Sequence, residues 1–463
     1  MASTPSTADL KELTREELGE LIRQQDQLIE QLRQQIEELR RKSHRQANPF
    51  SKNQPKADPK LPGRKAGQGV FKNRPAPPEQ PADHKVQATT PQRCPDCGGE
   101  VDLERVDLAT VTDIPVKPPP VVTRYAVPVC RCRQCGKSVR GKAPGLAQDQ
   151  TGATAHRVGP GAMATAQVLH YDMGIPVRKV PAVLLALTGL EVTASAITQD
   201  AMKQSQGPVG AAYQDLRAEM TQAPVVHTDD TGWRIGGQGA FLMGFDSDRT
   251  AVFQIRHQHR NQEVQEIIPP DFAGVLVTDR GVSYEAKVFD GMRQQKCIGH
   301  LLKNISMVLE TKTGSSPLFG LQLKAMLQEG LELSKAPPGE EWREKVRDLE
   351  LRLIRHLRDR ILKDDDNQRL LNGIGSQMDR DRLLTFLHVP GVEPANNRAE
   401  RMLRPAVIAR KVSHCSKNER GAHATSAFLS VIQTARKRIS GNSASCLAGV
   451  IAVLVSPGPL LLR

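Results

Sequence analysis

Two apolar runs that each end in a carboxylate constrain this chain most. Residues 225–230 read VVHTDD and residues 274–279 read GVLVTD. Short runs rich in β-branched residues and bounded by turn formers read as buried strands. Each of these delivers an acid at its C-terminal end. Between them, residues 239–245 and 250–256 read as an apolar hairpin and residues 261–268 as a short helix. Residues 286–291 form a short segment, and residues 296–300 are a candidate fifth strand. Successive side chains on a strand point to opposite faces, so at most one of Asp229 and Asp230 can share a site with Asp279.

Strand, strand, strand, helix, strand, with acids at the ends of the first and fourth strands, is the ribonuclease-H-like order. In that fold those two strands are neighbours, and Asp229 and Asp279 sit side by side. The expected class is therefore α/β, with a catalytic domain over residues 221–440. A third acid is expected on a later helix, where PANNRAERMLRP supplies Glu400. Three hard carboxylates around an open site suit Mg²⁺ or Mn²⁺, two ions per site, which would act on both oxygens of an in-line phosphoryl displacement. The same residues also have plainer readings. Asn397-Arg398-Ala399-Glu400 matches a capping box with Asn as N-cap and Glu at the third helical position. Asp279 before Arg280-Gly281 matches an ordinary turn acid.

Upstream, the character of the chain changes several times. Residues 1–43 carry Leu18, Ile22, Gln25, Ile29, Leu32, Ile36 and Leu39 in 4-3-4-3 spacing. Isoleucine at a with leucine at d favours a parallel two-stranded coiled coil, hence a homo-oligomer. Residues 44–92 are rich in Pro, Lys, Gln and Asn and lack the aliphatics to bury a core, so a disordered basic linker is expected. Residues 93–145 hold two C-x2-C-G units, Cys94/Cys97 and Cys132/Cys135, with Cys130 as a spare. Four thiolates suit structural zinc, and Gly98 and Gly136 give each knuckle its tight turn. Runs at 111–116 and 121–127 would form a hairpin between the pairs.

Residues 146–220 look helical. Within them, residues 175–188 and 195–206, joined through Gly189, fit either a helix-turn-helix or a plain helical hairpin. Residues 301–390 read as a helical insertion between the second and third acids. Residues 441–463 form an atypical tail whose apolar part is too short to span a bilayer. The net charge is +13. Such a balance favours a polyanionic partner, because Lys and Arg on phosphates release counterions. No secretory signal is legible at the start, and a cytoplasmic, nucleoid-associated bacterial protein that does not enter the membrane is expected.

HTDDTGWRI, VTDRGVSY and EPANNRAERMLRPAVIARKVS together resemble the three acid motifs of the insertion-sequence-66 family of transposases. The resemblance covers roughly residues 18–438, and the order of coil, linker, cysteine knuckles, helices and catalytic domain also matches. It implies that Asp229, Asp279 and Glu400 are the catalytic acids. Asp230 stands where the family usually has Glu. The implied activity is metal-dependent cleavage of element ends, followed by strand transfer into target DNA. Terminal inverted repeats and target DNA would be the partners, and accessory proteins of the same element could be required. Arg398, Arg401, Arg404, Arg410 and Lys411 would lie near phosphates. KCIGHLLKN resembles a Cys-x-x-His signature found after the second acid in several transposase groups, which implies a supporting role for Cys297 and His300. The stretch from Gly441 departs from the family pattern. Two rival readings keep the same scaffold: a catalytically inactive DNA-binding protein derived from a transposase, and a nuclease that cuts without joining.

Overall fold

The computed structural model describes residues 93, 95–102, 120–142, 158–310, 312, 316–358, 361–439 and 443–455. The coiled coil, the linker, Cys94 and the run at 111–116 lie outside the described residues. Two compact units divide the chain, Met1–Ile114 and Pro115–Arg463. In the first, a bridge between Arg93 and Glu100 flanks the first knuckle, and Gly98 adopts φ +71°.

The second unit opens with a small hairpin, β1 (Val129–Arg131) and β2 (Ser138–Arg140), around the second knuckle. Residues 121–127 form no strand, contrary to expectation. The helices α1 (Pro160–Gln167), α2 (Val180–Thr188), α3 (Ala194–Gln206) and α4 (Pro208–Met220) follow. A π-turn at Val168–Asp172 extends α1. The helix expected from residue 175 begins only at Val180. Pro181 thereby falls in its first turn, where a missing N–H costs nothing. Gly189 closes it at φ +73°, and the Thr193 hydroxyl caps the next helix. α3 packs on α4, and its Ile197 is buried with Ala166 of α1 and Val180 and Leu184 of α2.

A five-stranded sheet forms the centre: β3 (Val225–Ile235), β4 (Gln238–Asp246), β5 (Ala251–Arg256), β6 (Val275–Thr278) and β7 (Gln294–Lys296), with α5 (Asn261–Gln265) before β6. Its order is β5-β4-β3-β6-β7, with β3, β6 and β7 parallel and β4 antiparallel to its neighbours. The first strand is much longer than the sequence suggested, so the two acids stand in its middle. The proposed fifth strand ends at Lys296, and Cys297 to His300 begin a helix instead.

After β7 come α6 (Ile298–Leu309), α7 (Pro317–Leu333), α8 (Glu340–Leu357), α9 (Asp365–Asp379) and the short α10 (Thr385–His388). These helices bury a leucine-rich core against Val275 and Val277 of β6. Then follow α11 (Asn397–Ser413), α12 (Glu419–Arg438) and α13 (Ser443–Val455). The opposite sheet face, with Val226, Met243, Phe245 and Leu276, shares one core with Tyr213 and Leu216 of α4 and Phe428 of α12. A division at residue 220 therefore marks a change of sequence character, not of core. The tail is not loose either, since Val450, Val453 and Leu454 of α13 are buried in the same core.

Candidate active site

The register of β3 against β6 sets the first two acids. Val225 pairs with Val275, Val226 with Leu276 and His227 with Val277. Continuing that register two residues brings Asp279 level with Asp229. Alternation puts both on the face that carries Val225 and Val275. Asp229 lies across β4 from Gly244. A Cβ at Gly244 would stand 2.4 Å from Met402 and 3.0 Å from Leu403. The missing side chain therefore lets α11 settle directly on the sheet, over Asp229.

Glu400 rides on the first turn of α11. Its N-cap is Asn396, not Asn397, so Glu400 is the fourth helical residue, and no capping box forms. Asn396 is fully buried and spends its side-chain amide elsewhere: Nδ2 donates to the Thr228 carbonyl at 2.7 Å, and its backbone N–H donates to Cys297 Sγ at 3.2 Å. The Cys297 N–H donates in turn to the Thr278 carbonyl at 2.8 Å. The residues just before Asp229 and Asp279 are thus tied, through Cys297 and Asn396, to the start of the helix that carries Glu400.

Asp230 points to the other face, where its carboxylate meets His259 Nδ1 at 3.1 Å. Burial, joined by the charges of Asp230, Asp279 and Glu400, pushes Asp229 up to about 6. His300 lies 3.9 Å from Glu400. Hydrogen bonding with Cys297, helped by the nearby Glu400 and Asp279 charges, raises His300 to about 9 against its partial burial. Burial opposes ionisation of the Cys297 thiol, but bonds from His300 and from the Asn396 amide outweigh it and lower the pKa. His227, on the same face as Asp229, is held neutral at about 4 by burial and by the Arg398 charge.

Asp279 accepts from the Gly281 N–H at 2.8 Å, a tight turn in which a Cβ at Gly281 would crowd the carboxylate. Beyond it, Lys296 is fully buried. Its ammonium donates to Thr278 Oγ1 at 3.1 Å and Gln294 Oε1 at 2.8 Å, and meets Glu285 at 2.6 Å. Arg382 and Arg380 converge on the same Glu285 at 3.4 and 3.2 Å. This buried polar strand was not legible in the sequence, because QQK carries no strand-like hydrophobic pattern.

The basic residues expected near DNA divide into two groups. Arg398 is committed to Asp246 at 2.8 Å and Asp248 at 2.6 Å, and Arg410 to Thr231 Oγ1 and the Gly232 carbonyl. These two brace α11 against the sheet. Arg401, Arg404 and Lys411 are exposed. Arg404 and Lys411 stand four and eleven residues after Glu400, on its side of the helix.

Among the described residues, no group of three or more His, Cys, Asp and Glu side chains closes tightly enough to hold a metal ion. Mg²⁺ is usually held by one or two carboxylates together with substrate phosphates, so a loose set of hard oxygens fits it.

Of the four thiols expected to hold zinc, Cys97, Cys132 and Cys135 are described and Cys94 lies outside the described residues. Cys97 is an exposed free thiol. In the second knuckle Cys132 and Cys135 are also free thiols, the first partly buried and the second exposed, as is the spare Cys130. There the backbone N–H groups of Cys135 and Gln134 and the Cys135 thiol lower the Cys132 pKa, as a thiolate ligand requires. Gly136 makes the turn at φ +68°.

No helix among the described residues is long and apolar enough to cross a membrane. No curated protein matches the chain. The family model described as Transposase IS66 family matches residues 156–424, a span that holds all three acids and more than half of the chain. The chain belongs to that transposase family.

Proposed function

We propose that the chain is a DNA transposase, with Asp229, Asp279 and Glu400 as a divalent-metal site on a ribonuclease-H-like scaffold. It would cut the terminal inverted repeats of its element and join the freed strand to target DNA. The observation that carries this reading is the strand register that sets Asp279 level with Asp229, while Gly244 admits the helix bearing Glu400 to the same face. Bound Mg²⁺ or Mn²⁺ would supply a nucleophilic water and charge neutralisation at the phosphate. The chain's own part is positioning. The Cys297–Asn396 bonds hold the three acid-bearing segments in register, and His300 stands beside Glu400. Arg404 and Lys411, on the face that Glu400 occupies, and the exposed Arg401 beside it would take backbone phosphates. The thiolate-stabilising turn of the second knuckle supports structural zinc, and the heptads of residues 1–43 support a homo-oligomer.

The test is cleavage and strand joining of a duplex carrying the element's end, with Mg²⁺, by Glu400→Gln, Asp229→Asn, Asp279→Asn and Asp230→Asn. The first three are expected to lose cleavage by at least ~10²-fold while still binding the duplex, because a neutral amide is a poor ligand for a hard cation. Asp230→Asn should retain activity, since its carboxylate faces the other side of the sheet. An active Glu400→Gln protein would remove Glu400 from the site. Binding without cleavage by the wild type would favour the inactive DNA-binding reading, and cutting without joining the nuclease.

A further inference from the structure

Arg280 immediately follows the second acid and is half-buried. The cations around it are committed. Lys296, Arg380 and Arg382 all converge on Glu285, and Arg382 also donates to the Phe289 carbonyl at 3.1 Å. Arg280 has no hydrogen bond or ion pair with any described residue. The charges that act on it are those of Glu285, already shared by three cations, and of Asp279, a proposed metal ligand. Its Nη1 lies against Gly373 on α9, where a Cβ would stand only 2.9 Å away. The helical insertion thus passes beside the guanidinium at the one residue type that leaves it room.

A partly desolvated guanidinium offers five donors and no acceptor, and leaving them unpaired costs free energy. The planar fork matches an anion with several oxygens, and a backbone phosphodiester is such a group. We infer that Arg280 clamps a non-bridging oxygen of the DNA backbone beside the bond that is cut, and that Gly373 keeps the insertion clear of this contact. The inference rests on the transposase reading and deepens it. It also gives the insertion a place in the site: α9 forms one wall of the phosphate seat, and Lys296, Arg380 and Arg382 engage Glu285, which would otherwise compete for Arg280.

The experiment uses the full chain and a duplex carrying the element's end. Single phosphates flanking the cut are replaced one at a time by uncharged methylphosphonate. Arg280→Ala should slow cleavage by roughly 10²-fold at saturating DNA, with an unchanged melting temperature. Arg280→Lys should recover part of the rate. Gly373→Ala, which pushes only the tip of a flexible side chain, should also cut slowly while melting no lower than the wild type. At one phosphate, neutralisation should weaken the wild type and add nothing to the Arg280→Ala defect. Wild-type cleavage by Arg280→Ala, or losses that multiply at every phosphate, would overturn the clamp. The same series is read in binding, so an uncut duplex counts against the transposase reading while affinity still decides the phosphate contact.

Discussion

The carboxylate at Asp229 shows how one residue records the demands of the site. An isolated Asp has a pKa of about 3.9, and burial beside three other acids lifts Asp229 to about 6. A raised acid favours the fold at low pH. Its protonated form is the one the native state accommodates, so stability is lost as pH rises from about 4 to about 6 and stays lost above. Asp229→Asn should therefore stabilise the metal-free protein at pH 7.5 by ~1–2 kcal/mol, after discounting for residual exposure. It should change little at pH 4. Mg²⁺ should raise the wild-type melting temperature at pH 7.5 and leave that of Asp229→Asn nearly unchanged. Thermal melts at both pH values, with and without Mg²⁺, check this. Equal melting of the two proteins at pH 7.5 without metal would contradict it.

At the scale of elements, two devices make the sheet a platform. Both of its edges are engaged by neighbouring segments, which occupies N–H groups that would otherwise invite edge pairing. On β5, the Ala251 and Phe253 N–H groups donate to the Thr434 and Ser430 hydroxyls of α12 at 3.0 and 2.8 Å. On β7, the Lys296 N–H donates to the Arg382 carbonyl, and Gln295 bonds both the Leu383 carbonyl and the Phe386 N–H. The second device is Gly244. Gly244→Ala should disturb the seating of α11, because its Cβ meets Met402 Cε at 2.4 Å and both Leu403 Cδ2 and Cγ within 3.5 Å, so two neighbouring side chains must repack at once. Overpacking of this kind typically costs about 1–3 kcal/mol. Cleavage should fall further than that loss explains, since Glu400 moves with the helix. Adding Met402→Ala should restore room and much of the activity. Denaturant unfolding and cleavage rates measure the two effects separately, and an inactive, fully stable double variant would show that the gap is not what places Glu400.

At the scale of the molecule, the helices before the sheet, the insertion and the tail all serve one centre. The tail is the least expected contributor. Its α13 buries Val450, Val453 and Leu454 in the main core. Burying an aliphatic side chain is worth about 1.5–3 kcal/mol, so removing residues 441–463 should destabilise the second unit by several kcal/mol. A chain ending at residue 440 should unfold at clearly lower denaturant. An unchanged midpoint would show that the helix adds nothing to the core.

The sequence by itself determined the local events. The apolar runs around Val226 and Leu276 fixed two strands and the acids that follow them. Alternation separated Asp229 from Asp230, and the leucine spacing at 321–357 marked the helical insertion. These depend on neighbours along the chain, whose chemistry is written there. Only the tertiary structure decided the rest. It released Glu400 from the capping role, because the N-cap is the buried Asn396, whose side chain is drawn to the Thr228 carbonyl. It made a strand of QQK, because Arg382 and Glu285 arrive from distant segments to satisfy its polar groups. It also assigned Arg398 and Arg410 to bracing, since their partners lie on β3, at the end of β4 and in the turn after it. A polar side chain is buried or free according to what stands opposite it, and that partner is chosen by folding rather than by sequence spacing.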